Sequence, residues 1–141
     1  MGFAVAGWQL RRTATAAEAA RRAAMSAAVH YGRSAVLAAI PELLSIDLAL
    51  ATTAKNASTE LLALLARWRH SAAQAVGALG TVESLGEDVS SLLRDSIGLA
   101  AAAETALQGR SGGAALAEAR SAVAKASARA AELAEELKAY T

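Results

Sequence analysis

The clearest helical repeat in the chain is residues 114–139, AALAEARSAVAKASARAAELAEELKA. Apolar or small side chains return every three or four residues in two rows, which form one seam along a helix. Alanine fills three of the eight seam positions, and such small side chains let a neighbouring helix approach closely. We therefore predict a helix whose seam packs against an antiparallel neighbour, with Leu116, Ala119, Val123, Ala126, Ala130, Leu133, Leu137 and Tyr140 in the seam.

The rest of the chain predicts three further helices. The first begins near Thr15, where Thr15 and Glu18 have the spacing of a capping box, and ends before Pro41. The second is the long one and runs from about Pro41 to Leu79. The polar stretch Thr52–Ser58 either breaks this helix in two or leaves it continuous or merely bent, and the unbroken phase of the apolar stripe favours the latter. The third begins near Thr81 and ends at a loop with three glycines, residues 108–113.

These segments predict an all-α fold, an antiparallel bundle of about four helices with one long second helix. Alanine accounts for 41 of the 141 residues, so the core is thin, because a buried alanine contributes much less than a buried leucine. Residues 1–13 mix glycines with apolar side chains and are expected to form a poorly regular N-terminal arm. Residues 14–141 are expected to form a single helical-bundle domain.

The sequence lacks the residue patterns of common catalytic and metal sites. It contains no cysteine, and its two histidines, His30 and His70, fall on different predicted helices. A di-iron bundle places glutamate three residues before each histidine, but Ala27 and Arg67 occupy those positions. Phosphate-loop, nucleophile-elbow and dinucleotide-binding fingerprints are absent. We therefore expect no enzyme activity, no metal and no cofactor.

Charge and hydropathy predict a cytoplasmic protein. The formal net charge is +1, and Arg11-Arg12 is followed by further charges where a twin-arginine signal needs an apolar run. The most apolar stretch, residues 35–54, is interrupted by Pro41, Glu42 and Asp47, so no transmembrane helix is expected. Secretion without a leader remains open. The richness in alanine and arginine is typical of a GC-rich, for example bacterial, genome.

Two groups of residues are candidates for partner binding. Arg11, Arg22 and Arg33 recur every eleven residues, which on a continuous helix returns to nearly the same face. They form either a basic stripe for a partner or an ordinary solvated face, and without a nucleic-acid motif we expect no nucleic-acid binding. Tryptophan with arginine is enriched in interface hot spots, so the second group is Arg67, Trp68 and Arg69, joined by Trp8, which we expect to be exposed on the N-terminal arm. Trp68 continues the apolar stripe, and burial in the core is the favoured alternative for it.

The segment Val29–Val36, VHYGRSAV, resembles the phospho-accepting helix of histidine-kinase dimerisation domains. In that family, an arginine and then a small hydroxyl residue follow the histidine. The resemblance implies that His30 is a phospho-acceptor supported by Arg33. Tyr31 stands where the family usually has an acidic residue, and Ala35 where it has a proline.

The function expected from the sequence is protein–protein interaction or assembly, with a second copy or another helical protein as partner. Packing of alanine and leucine seams provides the mechanism. Two alternatives stay open. One is a phosphotransfer-like signalling module that uses His30. The other is an amphipathic coat on an apolar surface, since phasin-type granule coat proteins are similarly alanine-rich and helical.

Overall fold

The computed structural model describes the backbone of residues 2–80, 86–109 and 113–139, and the side chains of these residues except 2–13 and 26–30. Within those residues the protein is all-helical, as predicted, and contains no strand. The helices are α1 (Gly2–Thr52), α2 (Ser58–Leu79), α3 (Glu87–Gln108) and α4 (Gly113–Ala139). The chain divides into two compact units, Met1–Tyr31 and Gly32–Thr141.

The unit Met1–Tyr31 is helical from Gly2 onward. This differs from the poorly regular arm expected for residues 1–13. Alanine-rich sequence without proline favours a helix enough to offset the cost of two glycines, each about 1 kcal/mol. Residues 14–25 are exposed, and Arg22 Nη2 donates a hydrogen bond to Glu18 Oε1 one turn earlier, at 3.3 Å. The predicted division of the chain at residue 13 remains a prediction.

The helix α1 continues through Pro41, so the prediction that the first helix ends before this proline is wrong. Proline removes one helical hydrogen bond and crowds the preceding turn, at a cost of about 3 kcal/mol. Pro41 itself is exposed, while buried apolar residues continue on the opposite face before and after it. Their burial, roughly 1.5–3 kcal/mol for each large side chain, outweighs the cost. These residues are Val36, Ile40, Leu43, Ile46 and Leu50.

The helix break lies at residues 53–57, so the prediction of a continuous helix from Pro41 to Leu79 is also wrong. The longest helix is the first, with 51 residues, and the second has 22. Thr52 Oγ1 donates to the carbonyl oxygen of Leu48 at 3.0 Å, and Thr53 Oγ1 donates to that of Ala49. Such side-chain bonds compete with the helical pattern, and the Lys55-Asn56 turn completes the break.

Buried residues of all four helices in the unit Gly32–Thr141 form one hydrophobic cluster. Seven of the eight predicted seam residues of α4 are buried, and Tyr140 lies outside the described residues. The helix α3 contacts both α2 and α4. Its predicted start at Thr81 also lies outside the described residues, and its first helical residue is Glu87. Gly86 precedes it and is buried against Leu79, whose Cδ2 would lie 2.7 Å from an added Cβ.

Candidate functional site

Trp68 lies in the core, which is the alternative favoured by the sequence, so its side chain is not presented at the surface. Its side chain is 0 % exposed. The indole Nε1 donates a hydrogen bond to Ser96 Oγ at 2.9 Å, and that hydroxyl donates to the carbonyl oxygen of Leu93 at 2.7 Å. The hydrogen bond from Trp68 joins α2 to α3 and gives a partner to the one polar group of this large buried side chain.

The two arginines beside Trp68 are engaged within the chain. Arg67 pairs with Glu42 of α1, and Arg69 Nε lies 2.6 Å from Glu104 Oε2 of α3. Arg69 is half-buried and the Glu104 side chain is only 13 % exposed, so this ion pair is partly shielded from solvent. The structure therefore places both guanidinium groups between helices, where they link neighbouring elements.

The predicted arginine stripe is only partly described. Arg22 is exposed and pairs with Glu18, whereas Arg33 is half-buried in the second unit. The side chains of Arg11, Trp8 and His30 lie outside the described residues, although their backbone belongs to α1. The stripe and the phospho-acceptor assignment of His30 therefore stay predictions.

Two further arginines, which the sequence did not single out, hold α4 in place. Arg120 Nη2 donates to the carbonyl oxygen of Thr53 at 2.7 Å, just beyond the C-terminus of α1, where a cation suits the helix dipole. Arg129 Nε donates to Asp88 Oδ2 at 2.6 Å, and its Nη1 contacts Glu132 and Glu136. The hydrogen bond from Arg129 lowers the pKa of Asp88, and the paired carboxylates raise the pKa of Arg129.

Two open grooves lie between helices of the second unit. One, of about 320 Å³, lies between α1 and α2, and the other, of about 310 Å³, lies between α3 and α4. The first is lined mainly by alanines with Glu42, Ser71 and Gln74; the second carries both signs of charge from Asp95, Glu118 and Lys125. Among the residues whose side chains are placed, no three His, Cys, Asp or Glu side chains are grouped to hold a metal ion.

The most unusual surface is one side of α1, which we call the outer face and define as Ser34, Ala38, Pro41, Leu44, Ser45 and Leu48. All six residues are exposed and none is charged. Leu48 is 66 % exposed and Leu44 is 39 % exposed, and they lie one turn apart on the same helix. Helix segment Tyr31–Thr52 is long and apolar enough to cross a membrane, and in the described residues it is the sole candidate.

Arg33 and Asp47 are the half-buried charged residues of α1 within the second unit. Both are half-buried, and the Arg33 Nε is buried without a hydrogen-bond partner. No ion pair with Asp47 is formed by the residues described, and burial raises the pKa of its carboxyl group. Fourteen residues separate the two, close to four helical turns, so their directions around the helix differ by about 40°. At about 100° per residue, Arg33 lies beside Leu44 at the edge of the outer face, whereas Asp47 lies between Val36 and Ile40 on the core side.

No known family, curated protein or solved structure matches this chain.

The sequence analysis did not identify the outer face or Asp47, whereas it named Arg33 as a candidate for partner binding. The periodic stripe assigned Leu43, Ile46 and Leu50 to the core, and all three are buried. A second series, Leu37, Leu44 and Leu48, has helical spacing as well and was the available signal. Two apolar rows on one helix mean that neighbouring helices on a single side leave one row uncovered.

Proposed function

We propose that this protein is a non-enzymatic helical assembly module that associates with itself through the outer face of α1. The observation that supports the proposal is the exposure of Leu44 and Leu48 on a helical face without charges. Isolated surface leucines are ordinary, but a contiguous apolar patch on one element is typical of an interaction site. The partner would bury this patch by helix packing, without any chemical step.

The fold that presents this surface is, in our proposal, an antiparallel four-helix bundle made by the second half of α1 with α2, α3 and α4. Its support is the order of contacts along the chain. Leu79 in α2 lies against Gly86, which precedes α3, whereas Arg69, earlier in α2, pairs with Glu104, later in α3. Three of the four helices would then be covered by one another on their apolar sides, while α1 carries a second apolar row outward.

The mass of the purified chain tests the proposal. In size-exclusion chromatography with light scattering we expect a defined oligomer that dissociates on dilution toward the 14.3 kDa chain. Leu48→Glu places a charge in the outer face and should give the monomer with unchanged helical circular dichroism, since Leu48 is largely outside the core. Ala102→Glu, at an exposed position on α3, is the matched control and should leave the mass unchanged.

Two results would refute this proposal. One is a wild-type chain that stays monomeric at millimolar concentration. The other is an oligomer that Leu48→Glu leaves intact, because the association would then use another surface.

A second candidate function, a coat on an apolar surface, is favoured by the length and apolar character of Tyr31–Thr52. Only 28 % of its most apolar window is buried inside the protein. A helix that lies on a lipid surface uses the same kind of exposed apolar row. Flotation of the wild-type chain with neutral lipid vesicles tests it. Binding that Leu48→Glu abolishes and Ala102→Glu does not would favour the coat, and wild-type protein left at the bottom of the gradient would exclude it.

A further inference from the structure

We draw no further inference here: the strongest candidate, the exposed apolar row of Leu44 and Leu48 on the outer face of α1, carries nothing beyond the proposed function, because nothing in the structure shows what covers it.

Discussion

Replacing Ser96 with alanine tests how much the buried hydrogen bond from Trp68 contributes to stability. Ser96 and Trp68 are both 0 % exposed, so water cannot replace the lost hydroxyl as the acceptor for the indole N–H. A buried donor left without a partner costs about 1–3 kcal/mol. Alanine forms helices better than serine by about 0.5 kcal/mol, which offsets a small part of that cost. We expect a net loss of about 0.5–2.5 kcal/mol in the free energy of unfolding.

The chain provides a closely matched control for this change. Ser127 is also a buried serine within a helix, at 1 % exposure, but its hydroxyl has no hydrogen-bond partner among the described residues. Removing that hydroxyl removes a desolvated polar group and breaks no hydrogen bond. Ser127→Ala should therefore leave the stability unchanged or raise it by up to about 1 kcal/mol.

Guanidinium unfolding followed by far-ultraviolet circular dichroism measures both effects, with thermal unfolding as a second readout. For a chain of this length, 1 kcal/mol corresponds to about 4 °C in Tm. Ser96→Ala should lower Tm by about 2–10 °C, and Ser127→Ala should not lower it. Equal destabilisation by both substitutions would refute the reasoning, because the cost would then follow the loss of a buried hydroxyl and not the orphaned indole N–H.

Two further predictions concern glycine positions and acid stability. Gly98→Ala should raise the free energy of unfolding by about 1 kcal/mol, because the added Cβ would meet no atom within 4 Å. Gly86→Ala should not raise it, because its Cβ would lie 2.7 Å from Leu79 Cδ2, and chemical denaturation compares the two variants. The Arg129 hydrogen bond holds the pKa of Asp88 below its ordinary 3.8, so its contribution to stability is present above that value and is lost as pH falls through the lower, folded-state pKa. Asp88→Asn should therefore reduce the fall in Tm between about pH 5 and about pH 2, and an unchanged acid limb would contradict this.

Sequence periodicity predicts the buried face of α4 correctly, but it does not predict where α1 ends and α2 begins. In α4 local propensity and the seam agree, and no residue interrupts the pattern, so all of its described seam residues are buried. At Pro41 a local rule favoured a helix end, but burial on both sides of the proline outweighed its cost. At Thr53 the apolar phase favoured continuity, but threonine side chains bonded the preceding turn.

The candidate site was harder to predict, because periodicity identifies residues that share a face but not the faces that neighbouring helices cover. Trp68 was assigned to the core correctly, since its position continued the buried stripe. Leu48 carries the same apolar signal and is exposed, because the contacts on α1 use the opposite side of the helix. The partial burial of Arg33 and Asp47 likewise emerges only from the structure.

The buried alanines change the expected pattern of mutational tolerance in this protein. Eight alanines belong to the described core, and six of them are at most 1 % exposed. At the six that are almost fully enclosed, a larger side chain has to displace its neighbours, and overpacking by even a few methylene groups costs about 1–3 kcal/mol. Selection on such a chain acts against substitutions that enlarge a core side chain as well as against those that shrink one. A substitution such as alanine to valine, conservative by hydrophobicity, would then be among the most damaging in the interior.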